Sequence, residues 1–387
     1  MASEDWRKGG FGLYIHWPFC ESLCPYCDFN SYVSDAIDQQ RWMRAYLSEL
    51  RRCAAETPGR TLNSIFFGGG TPSLMDPTLI HEILAEVRRL WPVSNDLEVT
   101  MEANPSSVEA ERFRDYAAAG TTRISMGIQS LDDRHLKALG RRHTVSEAVS
   151  AFSTARSIFD RVSFDLIYAR QDQTLDEWES ELKTALNMAI DHISLYQLTV
   201  EEGTAFGARH AAGSLRGLPN EDLSADMYCL TQDICTGAGM PAYEISNHAR
   251  DLAESRHNLI YWRYGDYLGI GPGAHGRLTT TQGKLATETV LAPLPWLMAV
   301  EKAGSGETVR TPVSGEDQAA EYLMMSLRLT EGSDLARFIG LGGKAPSQSG
   351  LAKLIEGGFV TLAGSRLSAT PSGRPILNAL LRELLID

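Results

Sequence analysis

Three cysteines, Cys20, Cys24 and Cys27, lie within eight positions near the start of the chain. With three and then two residues between them, one loop can offer three thiolates to three corners of a cubane. Clusters that only transfer electrons are usually closed by four cysteines, so an iron without a protein ligand indicates a place where a substrate or cofactor binds. The spacing therefore predicts a four-iron, four-sulfur (4Fe-4S) cluster with one open iron.

A structural zinc site is the alternative interpretation of these cysteines. Zinc takes four ligands, usually from two cysteine pairs, but no second pair lies nearby in the sequence, and only His16 could in principle complete such a site. The other cysteines, Cys53, Cys229 and Cys235, lie in helical stretches, where a free cysteine usually acts as a small buried apolar residue. This distribution does not resemble a secreted disulfide framework.

Six short β-rich runs alternate with amphipathic helical stretches in the first half of the chain. The predicted strands are Leu13–Trp17, Ser64–Phe67, Leu97–Glu102, Arg123–Ile128, Val162–Tyr168 and His192–Leu198, and the predicted helices include Gln40–Glu56, Pro77–Leu90, Val108–Ala119 and Leu175–Ala189. Parallel strands with right-handed crossovers follow from this alternation. The unusual polar residues stand at strand ends, where barrels of this type build their chemistry. We predict an α/β fold with an incomplete, open (βα)6 TIM-like barrel.

The chain of 387 residues is too long for one hydrophobic core, since such cores stop growing at about 250–300 residues. We predict a barrel with the cysteine loop over residues 1–210, a connecting region over 211–305 and a smaller α+β domain over 306–387. The predicted elements of the last domain are helices Ala319–Leu329, Gly350–Glu356 and Ile376–Leu385 and a hairpin Phe359–Ala369. Their order resembles a winged helix. Residues 341–387 hold only five basic and three acidic side chains, so we expect packing or partner contact rather than DNA binding.

A formal net charge of −13 argues against a protein that coats nucleic acid, because phosphate neutralisation needs a lysine and arginine surplus. No apolar run is long enough to span a bilayer, and the segment from Met1 to Gly10 lacks the apolar core of a signal peptide. We expect a cytoplasmic protein with no nucleic-acid partner and at most transient membrane contact.

The segment Tyr14-Ile-His-Trp-Pro-Phe-Cys20 through Cys27 resembles the radical S-adenosylmethionine (SAM) family, in its oxygen-independent coproporphyrinogen oxidase branch. The resemblance implies a radical SAM barrel whose open iron binds SAM and whose reduced cluster cleaves it to methionine and a 5′-deoxyadenosyl radical. A flavodoxin- or ferredoxin-type reductant is a possible partner.

Further positions match this branch in order along the chain. The SAM-binding residues implied by the resemblance are Tyr14, Tyr26, Gly69, Gly70, Thr71, Glu102, Gln129, Arg141 and Asp165. Among them, the glycine motif would meet the methionine amino group and Glu102 the ribose hydroxyls. One departure is the turn Ala169-Arg-Gln-Asp-Gln173, where the family usually has a Gly-Leu-Pro-x-Gln-like sequence, so we expect a reshaped turn.

Two features separate the chain from the oxidase branch. That branch has a fourth cysteine two residues after the third, whereas Cys27 is followed by Asp28, Phe29 and Asn30. The segment His257-Asn-Leu-Ile-Tyr261-Trp262 is similar to the His-Asn-x-x-Tyr-Trp haem-binding motif of the HemW group of haem chaperones. This second resemblance implies haem binding by His257, Asn258, Tyr261 and Trp262.

In that resemblance His257 is the ligand of the haem iron, as histidine commonly is. On a helix His257 and Tyr261, four residues apart, would share a face, Trp262 could cover a porphyrin edge, and Arg256 or Arg263 could meet propionates. The next stretch, Tyr267 to Gly276, resembles a glycine-rich family segment that brings backbone near the barrel mouth, with a plain loop as the alternative.

The sequence thus favours a haem chaperone that binds haem and a SAM-ligated 4Fe-4S cluster and passes haem to an acceptor, which the resemblance suggests is a respiratory haem protein. Coproporphyrinogen oxidase activity is not expected but is the main alternative; it would proceed by hydrogen abstraction from a propionate. Another radical reaction, such as nucleic-acid modification, is a further alternative that the acidic charge disfavours.

Overall fold

A twisted sheet of eleven strands runs through the larger part of the molecule in a computed structural model, which describes residues 2–34 and 36–385. In chain order, the strands of this sheet and of two smaller sheets (β2-β3 and β14-β16-β15) are β1 (Phe11–Trp17), β2 (Phe19–Cys20), β3 (Tyr32–Val33), β4 (Leu62–Gly69), β5 (Val93–Ala103), β6 (Arg123–Gln129), β7 (Arg161–Tyr168), β8 (His192–Gln197), β9 (Asn247–Ala249), β10 (Asp266–Ile270), β11 (His275–Thr280), β12 (Gly283–Thr289), β13 (Glu307–Pro312), β14 (Ser333–Asp334), β15 (Val360–Ala363) and β16 (Arg366–Ala369).

Helices connect these strands and cover the outer face of the sheet. They are α1 (Gln39–Glu56), α2 (Pro77–Leu90), α3 (Ser107–Ala119), α4 (Asp133–Ala138), α5 (Val145–Arg156), α6 (Leu175–Met188), α7 (Ala205–Ala211), α8 (Glu221–Gly237), α9 (Arg256–Trp262), α10 (Pro293–Ala303), α11 (Gly315–Ser326), α12 (Leu335–Leu341), α13 (Gln348–Glu356) and α14 (Leu377–Leu385). Short 3-10 helices span Ala2–Lys8, Pro72–Leu74 and Arg374–Ile376. None of the helices in the described ranges is both long and apolar enough to cross a membrane.

The large sheet has the order β13-β12-β11-β10-β1-β4-β5-β6-β7-β8-β9. The six predicted parallel strands are all present, and the crossover helices begin and end within one residue of their predicted bounds. The sheet is a partial, open barrel, as predicted. Helix starts follow the local sequence: Thr144 and Thr174 form capping boxes with Glu147 and Glu177 at the starts of α5 and α6.

The sheet extends beyond the six predicted strands. Strand β10 pairs in parallel with β1, and β11, β12 and β13 continue that edge as an antiparallel meander. Most of the glycine-rich stretch Tyr267–Gly276 is therefore strand rather than plain loop. Gly269 permits this pairing, since a Cβ there would lie 2.0 Å from the carbonyl oxygen of His275.

Two larger hydrophobic cores lie in the described part of the chain. One fills the space between the barrel sheet and its helices. The other joins α11, α12, α14 and the small sheet β14-β16-β15, and it includes Tyr264 from the end of α9. The helices and hairpin of this second unit match the predicted winged-helix elements, with α12 and β14 in addition. The boundaries near residues 210 and 305 stay predictions, although residues 247–289 supply four strands of the large sheet.

Two of the three remaining cysteines behave as expected, and one does not. Cys53 and Cys235 are buried, whereas Cys229 is exposed. The prediction was wrong for Cys229 because it lies six residues before Cys235 on α8, which places the two side chains on different faces of the helix.

Candidate metal and cofactor site

A cavity of 530 Å³ opens at the carboxyl ends of the barrel strands. Most of the residues predicted from the radical SAM resemblance line it, namely Cys20, Cys24, Cys27, Tyr26, Gly69, Gly70, Thr71, Glu102, Gln129, Arg141 and Asp165. Residues at the carboxyl ends of the parallel strands, from β1 to β8, thus meet in one cavity, which is where barrels of parallel strands build their sites. Sequence reasoning missed one wall of the cavity, formed by Tyr196 to Thr199 and Glu201.

The cysteine loop leaves the barrel after β1 and is closed at its base by the short parallel pair β2 and β3. Within it, the backbone N–H of Cys27 donates to the carbonyl of Cys24 at 3.2 Å, which makes a tight turn between these ligands. No three histidine, cysteine or acidic side chains in the described parts of the chain converge on a single metal ion. A 4Fe-4S cluster does not need such convergence, because each cysteine binds a different iron of the cluster. The loop suits a cluster.

The three cysteines are half-buried, and the surroundings of Cys20 and Cys27 disfavour free thiolates. Burial raises the pKa of Cys20, and it raises the pKa of Cys27 to about 11. Metal ligation requires the thiolate, so cluster binding must release these protons.

Arg141 connects the cysteine loop to the barrel strands. Its Nη1 donates to the Cys24 sulfur at 3.5 Å, and its Nη2 donates to Asn104 Oδ1 at 2.8 Å and to the Gly127 carbonyl at 2.7 Å. The buried Nε has no partner among the described residues. The Arg141 side chain lines the cavity, and a guanidinium suits an anionic ligand group such as a carboxylate.

Asn104 is held by a buried acid that sequence reasoning did not identify. Glu109 accepts from the Asn104 backbone N–H at 2.7 Å and from the Ser73 hydroxyl, while Asn104 Nδ2 donates to Thr71 at 3.1 Å. Burial raises the pKa of Glu109 to about 7. The Ser106-x-x-Glu109 spacing at the start of α3 was the available signal, since it resembles a helix cap.

Two carboxyl groups face each other in the cavity. Burial, and then the charge of Asp165, raises the pKa of Glu102 to about 8, and burial raises the pKa of Asp165 to about 6. Glu102 also accepts a hydrogen bond from the Gly69 N–H at 3.1 Å. Acceptors of this kind can hold the hydroxyls of a sugar.

Replacing Glu102 with glutamine is expected to stabilise the ligand-free chain more at pH 8 than at pH 5. The folded state holds the Glu102 proton more tightly than the unfolded state, so the stability of the parent falls as the pH rises from about 4.5 to about 8. Each unit by which the two pKa values differ corresponds to about 1.4 kcal/mol. The midpoint of thermal unfolding across this pH range measures the effect. Glu82→Gln, at an exposed site on α2, is the control; equal gains at both pH values would contradict the expectation.

The turn after β7, which departs from the family sequence, contains two non-glycine residues in the left-handed region. Ala169 and Asp172 both have a φ of 56°. Arg170 is buried against Glu181, whose Oε1 also accepts from the Ser130 hydroxyl at 2.8 Å. This ion pair connects the turn to Ser130, the residue after Gln129. It could not be predicted from the local sequence, because Glu181 lies on a different element.

The predicted haem residues lie at the opposite end of the barrel from this cavity. Helix α9 closes the amino end: the carboxylate of Glu98, in the middle of the long strand β5, accepts from the backbone N–H groups of Arg256 at 3.0 Å and His257 at 3.4 Å. Asn258 forms part of the same helix start, where its N–H faces the Ser255 hydroxyl.

His257 points into the barrel and is only 1% exposed. Its Nδ1 lies 2.8 Å from the Ser64 hydroxyl and its Nε2 lies 2.8 Å from the Tyr261 hydroxyl. Burial lowers its pKa to about 3, so the ring is neutral at physiological pH. The predicted shared helix face of His257 and Tyr261 is present.

Tyr14 does not line the cavity but forms the layer below it. Its ring stacks on Phe66 and on His257, at centroid distances of 6.2 and 6.3 Å. Its hydroxyl bonds to His16 Nδ1 at 3.1 Å. Tyr14 therefore separates the cysteine end of the barrel from His257 and contacts the residues of both.

The other end of α9 rests on the C-terminal core. Arg337 donates to the Arg263 carbonyl at 2.9 Å, and Arg263 forms an ion pair with Glu331 at 2.8 Å. The guanidinium of Arg328 lies 4.7 Å from the centre of the Trp262 ring. Arg256 forms an ion pair with Asp96. Both arginines that were predicted to bind propionates, Arg256 and Arg263, therefore already have carboxylate partners.

Known relatives identify the family to which the chain belongs. The chain is 36% identical over 379 residues to the protein of Escherichia coli named heme chaperone HemW, with 97% of this chain and 98% of the relative covered. The chain belongs to the HemW family. A family member from Mycobacterium tuberculosis, also named heme chaperone HemW, is 36% identical and covers 97% of this chain and 95% of its own.

A relative from outside bacteria and a solved structure also resemble the chain. Radical S-adenosyl methionine domain-containing protein 1, mitochondrial, of Bos taurus is 39% identical over 83% of this chain and 73% of its own. Residues 14–185 match the Radical SAM superfamily and residues 313–376 the HemN C-terminal domain. The coproporphyrinogen III oxidase HemN of E. coli has the same fold, with a TM-score of 0.82, 20% identity and coverage of 99% of this chain and 92% of that chain.

Proposed function

We propose that this HemW-family chain is a cytoplasmic haem chaperone that carries a 4Fe-4S cluster on Cys20, Cys24 and Cys27, with SAM on the open iron. It binds haem through His257 and passes it to an acceptor, a haem protein of the respiratory chain. A flavodoxin- or ferredoxin-type protein supplies electrons to the cluster.

The observation that carries this proposal is the placement of the two predicted sites at opposite ends of one barrel. The cysteines, Glu102 and Asp165 line the cavity at the carboxyl ends, whereas His257 enters from the amino ends. A cargo held by His257 therefore does not occupy the cavity in which a radical would form. An oxidase, by contrast, must bring its tetrapyrrole to that cavity.

The size of the cavity is consistent with the SAM part of the proposal. Its 530 Å³ suits a ligand of drug size, and SAM is of that size. The cavity wall also has Phe29 where the oxidase branch has its fourth cysteine.

The residues of the cavity divide the work of holding SAM, which supplies radical chemistry when bound to a reduced cluster. Gly69, Gly70 and Thr71 present backbone and a hydroxyl to the methionine amino group, where side chains would be in the way: a Cβ on Gly70 would lie 2.7 Å from the Phe19 carbonyl. Glu102 accepts from the ribose hydroxyls. The remaining contacts come from Tyr26, Gln129, Arg141 and Asp165.

At the other end, His257 is neutral and so able to bind iron, but both of its ring nitrogens are engaged. Iron binding through Nε2 requires the Tyr261 hydroxyl to give up its hydrogen bond. Trp262 lies under the Arg328 guanidinium and Arg263 pairs with Glu331, so both side chains would have to leave these partners to contact a porphyrin.

An anaerobic assay of the cluster-reconstituted protein tests this proposal. With SAM, an electron donor and coproporphyrinogen III, we expect no protoporphyrinogen, while haem added to the same preparation binds and shows the absorption shift of an axial histidine. Protein carried through reconstitution without iron is the control for haem binding. Decarboxylated product would identify an oxidase and make His257 a structural residue.

A further inference from the structure

The last part of the cysteine loop is held by one side chain, that of Asn30. Its Nδ2 donates to the carbonyl of Pro272 at 3.0 Å and to the carbonyl of Leu291 at 2.9 Å. Both amide hydrogens are thus used, and both partners lie outside the loop, on either side of β11 and β12.

The backbone of Asn30 is fixed as well. Its carbonyl accepts from His16 Nε2 at 2.8 Å, so Nε2 carries the proton and Nδ1 accepts from the Tyr14 hydroxyl. His16 ends the inward-facing row of β1. The residue three positions after Cys27 is therefore joined to the barrel strand by its carbonyl and to the glycine-rich segment by its side chain.

Gly273 has no side chain, and the Asn30 amide occupies the space where one would lie. Its φ is +73°, and a Cβ there would lie 2.4 Å from Asn30 Nδ2. The segment itself is pinned by Thr289, whose hydroxyl donates to the Gly271 carbonyl at 2.5 Å and accepts from the Ala274 N–H at 2.9 Å. These hydrogen bonds hold the segment in the conformation that leaves room for Asn30.

We infer that Asn30 is a positioning residue which, seated against Gly273, holds Cys27 where it can share one cluster with Cys20 and Cys24. This inference deepens the proposed function and rests on its cluster assignment. The loop has no fourth cysteine to restrain this stretch, and Phe29, at that position, is 58% exposed. The Asn30 bonds restrain the stretch instead.

Two substitutions test this role from opposite sides of the contact. Asn30→Asp keeps the size but removes both donors and places a carboxylate oxygen against two carbonyl oxygens. Gly273→Ala keeps Asn30 but fills its seat. The matched controls are Asn220→Asp, where either residue caps α8, and Gly358→Ala, where φ is +72° and nothing lies within 4 Å of the added Cβ.

The first measurement is the rate at which Cys27 is alkylated in the metal-free chain, read by mass spectrometry. We expect Asn30→Asp and Gly273→Ala to raise the Cys27 rate several-fold over their controls, while buried Cys53 and Cys235 react as in the parent. The second measurement is the loss of visible cluster absorption in air after anaerobic reconstitution, which we expect to be several-fold faster in the same two variants.

An unchanged Cys27 rate or an unchanged cluster lifetime in both variants would overturn the positioning role. Failure of the cluster assignment itself looks different: Cys20→Ala, Cys24→Ala and Cys27→Ala would then keep their iron, whatever the Asn30 and Gly273 variants do.

Discussion

Cys24→Ala yields a protein that retains none or almost none of its iron and sulfide after anaerobic reconstitution. Cys24 is the middle ligand of the loop, and its sulfur is the one that Arg141 contacts. With two thiolates left, two irons of a cubane lack protein ligands, and such a cluster is not held. We expect the same result for Cys20→Ala and Cys27→Ala, measured by iron and sulfide analysis and by visible absorption.

The control for this result is Cys229→Ala, which removes an exposed thiol far along the chain on α8. It should bind the full complement of iron. A Cys24→Ala variant that still holds four irons and shows the absorption of the parent would disprove the ligand assignment.

His257→Ala is expected to lower haem affinity by about tenfold or more, which corresponds to about 1.4 kcal/mol of binding free energy, while the cluster content stays that of the parent. The two sites are separated by the layer of Tyr14 and Phe66, so loss of one need not disturb the other. A haem titration followed by absorption, with iron and sulfide analysis on the same samples, measures both quantities. His81→Ala, exposed on α2, is the control.

A second variant at this site is expected to favour haem binding rather than weaken it. Tyr261→Phe keeps the ring packed but removes the hydroxyl that lies 2.8 Å from His257 Nε2. The freed nitrogen should bind haem faster than in the parent.

If haem titrates into His257→Ala as it does into the parent, the axial ligand lies elsewhere in the chain.

The parallel strands and their helices were predictable because each carries its own signal. Runs such as Val162–Tyr168 and the spacing of apolar residues in Pro77–Leu90 need no information from elsewhere in the chain. Strands β10 to β12 were not predicted, because their glycines weaken the strand signal and are explained only by close approach, as at Gly269. Long-range pairing, not local preference, decides this edge of the sheet.

The residues of the candidate site likewise fall into those that could be predicted from the local sequence and those that could not. The cysteines and Glu102 stand at ends of predicted strands, so their meeting at one cavity follows from parallel topology. Glu181 and Asn30 act through partners distant in sequence, and nothing in their local sequence indicates those partners. The sequence also placed His257 on a helix but did not indicate that the helix closes the opposite end of the barrel.

Helix α9 has seven residues, and isolated helices shorter than about 12–15 residues are marginal in water. Its start is held by Glu98 from the barrel, and its end by Arg337 and Glu331 from the C-terminal core. The His-Asn-x-x-Tyr-Trp segment therefore depends on contacts with both folding units for its helical conformation. A change in how the two units pack is transmitted directly to His257.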